Sequence, residues 1–197
     1  APTDNDRNVK GSWYGSRYDC VYNKVYEYSI CGNQIKVKAA LSPITKMPIF
    51  TYETTYTFGA DGTVEVALKG KFDQAKPYLP RLGFEFKVAE KDFNAEAEYV
   101  SYIMPQEHGS HFNTKLLKLG EYIFEAAQGF SCNVSEYSIQ ELTRKNHYFE
   151  LQKDEFTNVR IDYKVSGIGS NSCGPELLEK YRMNDGDVEF TFTIKKV

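Results

Sequence analysis

Two alternating segments on either side of a short glycine-containing turn constrain the fold of this chain more than any other feature. In the first segment, residues 50–58, aromatic and threonine side chains occupy every second position, so they lie on one face of an extended strand. The turn Gly59-Ala60-Asp61-Gly62 follows, and the alternation resumes with Val64, Val66 and Leu68. Two such segments joined by a turn that contains Asp-Gly predict a β-hairpin.

Similar patterns cover most of the remaining chain. The 15 tyrosines and 13 phenylalanines among 197 residues favour strands. Short helices are predicted at residues 139–145, where Ser138 and Glu141 have the spacing of a capping box, and from Pro175 onward. Further strands are predicted at residues 18–30, 34–41, 84–88, 98–103, 112–119, 121–127, 130–134, 147–151, 158–165 and 188–194. We therefore predict an all-β fold, a large antiparallel β-sandwich with one or two short helices, as a single domain over residues 1–197.

Charge and composition narrow the classes of partner. A net charge of −3 and a pI near 5.7 argue against nucleic acid as a partner. No apolar segment is long enough to span a bilayer and no signal peptide is visible, so no membrane partner is expected. The four cysteines are scattered without a CxxC pair, which favours free thiols in a reducing compartment and a cytoplasmic location. They are Cys20, Cys31, Cys132 and Cys173.

A glycine-flanked polar loop lies between the strand predicted at residues 158–165 and the helix predicted from Pro175. Its polar residues, Ser170-Asn171-Ser172-Cys173, lie between Gly169 and Gly174. Such a loop can approach a ligand closely, because glycine leaves room beside the backbone. The same glycines can also serve only the backbone geometry of a connection. The sequence leaves both interpretations open.

The histidines offer a second candidate site. His108 and His111 lie with Glu107 in a short segment whose Pro105 and Gly109 favour a loop, and the remaining histidine is His147. Imidazoles and a carboxylate could bind a metal or act as general acid and base, although the loop context makes the metal interpretation weak. The sequence contains no HExxH, GxSxG, P-loop or Rossmann motif.

Five motifs in the same order resemble those of one family. They are Ala1–Asp6 (APTDND), Leu79–Gly83 (LPRLG), Pro105–Gly109 (PQEHG), Tyr137–Leu142 (YSIQEL) and Gly167–Pro175 (GIGSNSCGP). The chain resembles, over essentially all of its length, the C-terminal domain of the large bacterial β-galactosidases, which also occurs as the small chain of two-chain β-galactosidases. The resemblance implies a supersandwich fold similar to that of galactose mutarotase.

The resemblance also implies a division of labour. In the family, the two catalytic glutamates lie on a separate barrel domain, whereas retaining hydrolysis needs two carboxyl groups about 5 Å apart. This chain is therefore expected to be a non-catalytic domain, inactive alone, that completes the active-site rim and the assembly of a barrel joined to it or supplied as a separate chain. The substrates would be terminal β-D-galactosides such as lactose. The barrel commonly uses Mg and Na ions, no cofactor is expected in this domain, and the protein could form a homo-oligomer.

Two loops are expected near the substrate by resemblance. The glycine-flanked loop, with Asn171, Ser172 and Cys173, would reach the rim of the active site, and Cys173 stands where some relatives have a tryptophan that stacks on sugar. Residues 7–11 (RNVKG) follow the first motif and would form a mobile loop, or lid, at the mouth of the site, with Arg7, Asn8 and Lys10 near substrate. For Asp4-Asn5-Asp6 itself, turn and capping chemistry is an equal expectation.

Two departures from the family pattern matter. The family has a longer segment where Asn94 meets Ala95, with a Tyr-Gly-x-Gly-Pro-x-Glu-x-Tyr motif, and it has opening strands before Ala1. The chain is therefore expected to be a piece of a larger β-galactosidase, whose incomplete sheet leaves unpaired edges that invite another chain.

Two other functions remain open from the sequence alone. One is a stand-alone carbohydrate-binding or aldose-mutarotase-like protein that would bring together Glu107, His108, His111 and His147 in one cavity. The other is a purely structural assembly module, which would lack a polar cleft.

Overall fold

A computed structural model describes residues 3–89, 99–170 and 176–197, and within these ranges strands dominate. The nine strands are β1 Val21–Cys31, β2 Gln34–Pro43, β3 Phe50–Phe58, β4 Val64–Phe72, β5 Arg81–Val88, β6 His111–Leu119, β7 Tyr122–Ser135, β8 Thr157–Val165 and β9 Asp187–Lys196. The two α-helices are α1 Arg7–Gly15 and α2 Ile139–Arg144. Single 3-10 turns occur at Asp4–Asp6, Tyr18–Cys20, Tyr148–Glu150 and Glu179–Tyr181. The prediction of an all-β, antiparallel fold with two short helices is confirmed.

The strands form one hydrogen-bonded sheet that curls into a half-barrel. Its order is β1-β2-β3-β4-β9-β7-β8-β5, and β6 pairs with the remaining edge of β7. The 14-residue strand β7 joins the two halves of the sheet. Its first residues, Tyr122–Glu125, pair with β9, and its last residues, Ser131–Ser135, pair with β8. The last strand along the chain, β9, therefore lies in the middle of the sheet.

An aromatic core fills the concave side of the sheet, where β5 folds over β9. Phe84 and Phe86 of β5 lie with their ring centroids 5.4 and 6.1 Å from that of Phe192 on β9. Phe86 also contacts Phe124 of β7 at 5.7 Å. Tilted and edge-to-face contacts of this kind add to the free energy of apolar burial. The two halves of the sheet consequently share one core.

The predicted hairpin is present, and β3 has the predicted bounds, whereas β4 continues beyond the predicted Leu68 to Phe72. Strands β3 and β4 pair from Phe50 opposite Phe72 to Phe58 opposite Val64. In the turn, the Asp61 carboxylate accepts hydrogen bonds from the Thr63 backbone N–H at 3.1 Å and its hydroxyl at 2.9 Å. The helix predicted at residues 139–145 is also confirmed, because the Ser138 hydroxyl accepts the Glu141 N–H at 3.1 Å.

Two predicted strands are wrong. Residues 99–103 of the strand predicted at 98–103 lie outside the sheet, and the Val100 N–H donates to Nε2 of His108 at 2.9 Å. The segment predicted as a strand at 147–151 instead contains the turn Tyr148–Glu150. There the Glu150 carboxylate accepts the N–H groups of Asn146 and His147, which favours a turn over an extended ladder.

The other differences concern boundaries and the second predicted helix. The strands predicted at 121–127 and 130–134 are one strand, β7, which passes through Gly129 at φ +81°. The helix predicted from Pro175 is wrong over residues 176–182, where only the 3-10 turn Glu179–Tyr181 forms; residues 171–175 lie outside the described ranges. None of the described helices has the length and apolar character needed to cross a membrane.

Candidate functional site

Helix α1 replaces the loop that was predicted at residues 7–11. Residues Arg7–Gly15 are α-helical, and Trp13 is their one buried side chain. Its indole N–H donates to the Tyr78 carbonyl at 2.9 Å, and its ring meets the Tyr78 ring edge-on at 5.7 Å. A nine-residue helix is marginal alone, so it depends on this docking against the segment before β5.

Asp6 joins the N-terminal turn to the glycine-flanked loop. Its completely buried carboxylate accepts hydrogen bonds from the Thr3 N–H at 2.7 Å and the Thr3 hydroxyl at 3.1 Å. The other carboxylate oxygen accepts the Gly169 N–H at 2.8 Å, across 163 positions of sequence. Gly169 has φ +85°, which favours glycine there. The turn-and-capping role expected for Asp6 is confirmed.

A cleft of about 150 Å³ is lined on one side by helix α1, which begins directly after Asp6. Asn8, Val9 and Ser12 of α1 line one side, and Pro77, Tyr78 and Glu176 line the other. The cleft is smaller than a typical ligand pocket of roughly 300–1,000 Å³, so by itself it would enclose only part of a substrate.

Arg182 and Tyr18 fix the walls of this cleft. The Arg182 guanidinium lies 5.3 Å from the centroid of the Tyr78 ring and donates to the Glu176 carboxylate at 2.8 Å. The Tyr18 hydroxyl donates to the Pro77 carbonyl at 2.5 Å. Burial, with a smaller contribution from the Asp73 charge, raises the pKa of Tyr18, so this phenol remains a neutral donor.

A buried ionic cluster lies under residues 99–110, on the face of β8 that points away from the hydrophobic core. Arg81 donates to the Glu107 carboxylate at 2.6 Å and forms two hydrogen bonds with Asp162. Arg160, only 1% exposed, donates to the Asn133 side-chain oxygen and, at 3.2 Å, to the Tyr137 carbonyl. The Asn133 amide donates in turn to the carbonyls of residues 108 and 109, at 2.7 and 3.1 Å. The cluster thereby holds this loop on the sheet.

Burial and charge act in opposite directions on the cluster's carboxyl groups. Burial alone would raise the pKa of Glu107, but the nearby positive charges, of which Arg81 has the largest effect, together outweigh burial and hold that pKa below its usual range. For Asp162, burial outweighs its pairing with Arg81 and raises the pKa. Gly83 permits the close approach of β5 to β8 at this point. A Cβ on residue 83 would lie 2.4 Å from both the Asp162 carboxylate and the Ile161 carbonyl oxygen.

Comparison with known proteins identifies the family. The family model described as the β-galactosidase small chain matches residues 1–96 and 92–194. The chain belongs to the β-galactosidase small-chain family. It is 34% identical over 225 aligned positions to a β-galactosidase of Actinobacillus pleuropneumoniae, with 98% of the chain and 22% of that protein aligned. It is 32% identical to a β-galactosidase of Staphylococcus xylosus, with 100% of the chain and 23% of that protein aligned.

The small-chain match covers only part of these relatives. The chain spans about a fifth of their length, as it does for the 24%-identical β-galactosidase of Kluyveromyces lactis, of which 22% is aligned. The first alignment has 225 positions, more than the 197 residues of this chain, so that relative carries residues that this small-chain sequence lacks.

The structure brings together part of the site expected from the small-chain resemblance. Asn8 lines the cleft, Arg7 is exposed on the first turn of α1, and Lys10 is half-buried on the same helix. The glycine-flanked loop adjoins the turn that precedes this helix, because the Gly169 N–H donates to the Asp6 carboxylate. Its predicted substrate-proximal residues, which are Asn171, Ser172 and Cys173, lie outside the described residues.

The alternative sugar site is only partly assembled in this small-chain domain. Glu107 and His108 line one cavity, which measures about 10 Å³, enough for roughly one water molecule. His111 is exposed on β6, and His147 is exposed and stacks on Phe149 at 5.0 Å. Neither of these two histidines lines that cavity. Within the described ranges, no group of three or more His, Cys, Asp or Glu residues is arranged to hold a metal ion.

The cleft of this small-chain domain depends on residues that the sequence did not single out. Trp13 is the single tryptophan of the sequence, and a large aromatic side chain of this kind could have been predicted to fix its segment to the core. Tyr78 precedes the LPRLG motif directly, but the sequence did not indicate its contact with Arg182, because the two residues lie far apart along the chain. Of the four cysteines, three lie within the described residues, and none of these three forms a disulfide there, as predicted for Cys20, Cys31 and Cys132.

Proposed function

We propose that this domain completes the rim of the active site of a β-galactosidase that acts on terminal β-D-galactosides such as lactose. The observation that carries the proposal is the hydrogen bond from the Gly169 N–H to Asp6. It joins the two segments that the family resemblance places at the mouth of the site. Helix α1, which begins directly after Asp6, lines a cleft with polar side chains, and this favours a rim over a module that serves assembly alone.

The catalytic carboxylates would come from another domain. Among the described residues that line the cleft, Glu176 supplies the one carboxylate, and it is already paired with Arg182. Retaining hydrolysis uses two carboxyl groups about 5 Å apart. Because the chain spans about a fifth of its relatives, we place these groups in a catalytic barrel, joined to this domain or present as a separate chain, together with any Mg or Na ions.

The cleft residues would contact the substrate where it leaves the barrel. The Asn8 amide and the Ser12 hydroxyl can both donate and accept hydrogen bonds, and sugar hydroxyls do the same. Such contacts orient a bound sugar without taking part in bond cleavage. Loss of one of them should therefore raise KM more than it lowers kcat.

Hydrolysis of a nitrophenyl β-galactoside tests the proposal. The catalytic partner would be the A. pleuropneumoniae relative without its matched region. Three samples would be assayed, which are this partner alone, this chain alone, and the two together. We expect activity only in the mixture, and a several-fold higher KM with Asn8→Ala. Asp61→Asn, in the turn between β3 and β4, is the matched control and should leave KM unchanged.

Other outcomes would contradict the proposal. Activity of this chain alone would mean that it contains its own catalytic carboxylates. If the mixture stays inactive although the two proteins bind each other, the domain serves assembly and not the rim. Saturable galactose binding by this chain alone, with an inactive mixture, would favour an independent carbohydrate-binding protein.

A further inference from the structure

Strand β1 is a long edge strand with an uncovered surface. Among the described strands it pairs only with β2, and ten of its eleven residues are exposed. Tyr28 and Ile30 lie on the same face of the sheet as the core residues, and they are 71% and 69% exposed. The strand contains neither proline nor glycine. An exposed apolar edge of this length has unpaired backbone groups that can bind a further strand.

The other free edges of the described sheet belong to shorter strands. Strand β5 has eight residues and a register shift between Leu82 and Gly83. Strand β6 has two register shifts on either side of Thr114, and Asn113 adopts φ +55°. Strand β1 also has one register shift, but its eleven residues offer a longer ladder than either of these strands. Strand β1 is therefore the edge most suited to pairing.

A single bulge gives β1 an unusual symmetry. Its pairing with β2 shifts register between Val25 and Glu27. Before the bulge, Lys24 lies on the face opposite the core, across from Ala40, and after it Glu27 lies on that same face, across from Lys38. Without the bulge, residues three apart would point to opposite faces. Because of it, one strand carries a positive and a negative charge on one face.

We propose that β1 pairs with β1 of a second copy of this chain about a two-fold axis. In the antiparallel register that places Val25 opposite Tyr26 of the second copy, Lys24 lies opposite Glu27 of the second copy, and the symmetry repeats this pair. In the same register Val21 lies opposite Ile30 of the second copy, on the core-facing side. Both opposite-charge and apolar cross-strand pairs stabilise antiparallel strands.

The charges at this edge are available for such pairing. The Lys24 ammonium lies over a ring of its own strand, with Nζ 5.3 Å from the centroid of Tyr26, and it forms no ion pair among the described residues. Glu27 forms an exposed ion pair with Lys38 at 3.1 Å, an interaction of the kind that contributes little to folding. An isologous contact closes after two copies, so it extends two curled sheets into one without open-ended growth.

Charge-reversal variants of the full chain, studied by sedimentation equilibrium, test whether β1 binds a second copy and in which register. The wild-type chain should be a dimer. Lys24→Glu alone, or Glu27→Lys alone, places like charges opposite each other twice, and each should weaken the dimer by about tenfold or more. The double swap Lys24→Glu/Glu27→Lys restores opposite charges and should restore dimerisation. Lys69→Glu removes an exposed ion pair between β4 and β9 and should leave the dimer unchanged.

A mixture of the two single variants tests whether dimerisation is regained. One variant then presents two glutamates and the other two lysines, so a one-to-one mixture should form a heterodimer at concentrations where each variant is a monomer. Circular dichroism of each variant checks that both are folded. A monomeric wild type, open-ended assembly, single variants that dimerise normally, or folded variants that stay monomeric when mixed would each overturn the proposal. So would binding of the separate catalytic part at β1 in place of self-association.

Discussion

Arg81 is the residue on which the buried ionic cluster depends. Its guanidinium contacts two carboxylates, Glu107 from the loop and Asp162 from β8, and all three side chains are largely buried. Removing charges from water carries a large free-energy penalty, which is recovered only when partners and hydrogen bonds are all in place. The cluster therefore favours one position of the loop, because any displacement would leave a charge buried without its partner.

Glu107→Gln should make this dependence measurable through pH. The folded pKa of Glu107 lies below its unfolded value of about 4.3, so ionisation of this carboxyl stabilises the fold above that pH. This contribution is lost as the pH falls through the folded pKa. We expect the substitution to lower the free energy of unfolding by about 3 kcal/mol near pH 7. The difference from wild type should shrink steadily below about pH 4.

Urea unfolding at several pH values would measure this effect. Glu189→Gln, which removes an exposed ion pair with Lys69, is the control and should change the free energy of unfolding by less than about 1 kcal/mol. An equal loss for Glu107→Gln at neutral and acidic pH would contradict the role given to the ionised carboxylate.

The sequence identified these residues only in part. Alternation in β8 correctly placed Arg160 and Asp162 on the face opposite Val159 and Ile161. It could not show that this second face is also buried, since the covering loop lies some 50 residues earlier in the chain. Charge alone suggests exposure, and only the three-dimensional arrangement supplies the hydrogen bonds that permit burial.

Helix α1 shows the same limit at the scale of an element. Its sequence, RNVKGSWYG, contains two glycines and has no acidic residue in its first turn, which favours a loop over a helix. Docking of Trp13 and the turn held by Asp6 outweigh this local preference. The strand pattern, in contrast, predicted both strands of the β3–β4 hairpin and the turn between them, because cross-strand neighbours in a hairpin are close in sequence.

Asp6→Asn should loosen the junction between the N-terminal turn and the glycine-flanked loop. An amide has one oxygen and cannot accept hydrogen bonds on both sides as the carboxylate does. We expect the free energy of unfolding to fall by about 1–3 kcal/mol and the Gly169 amide to exchange with solvent at least about tenfold faster. Native-state hydrogen exchange followed by NMR would measure both.

Asp61→Asn is the matched control for that experiment. Asp61 also accepts a backbone N–H and a hydroxyl hydrogen bond, but in an exposed turn. Its substitution should leave the Gly169 amide unchanged. Unaltered exchange of the Gly169 amide in Asp6→Asn would show that the junction is held by other contacts.

At the scale of the whole molecule, Phe192 connects the two halves of the sheet. It lies on β9 and contacts Phe84 and Phe86 on β5. Phe192→Ala would leave a cavity where the halves meet and should lower the free energy of unfolding by about 3–5 kcal/mol. Phe112→Ala, at a side chain that is 87% exposed, should change it by less than about 0.5 kcal/mol. Separate unfolding transitions of the two halves in wild type would contradict a shared core.

The sequence predicted the fold class but could not predict the strand order. Patterns of period two reveal that segments are strands, because each has one face toward the core. These patterns do not show which distant strands pair, because several strands have similar apolar faces and could each occupy the same place in the sheet. The position of β9 between β4 and β7 therefore became visible only in the structure.

That central position of the last strand has a consequence for synthesis on the ribosome. Strand β4 is completed roughly a hundred residues before β9, so at about 5–20 residues per second its ladder edge stays open for on the order of ten seconds. During this interval β1–β4 can exist only as a partial sheet with one apolar face uncovered. A nascent chain of this kind exposes an aggregation-prone surface, and a premature stop codon before β9 would leave a product without its central strand.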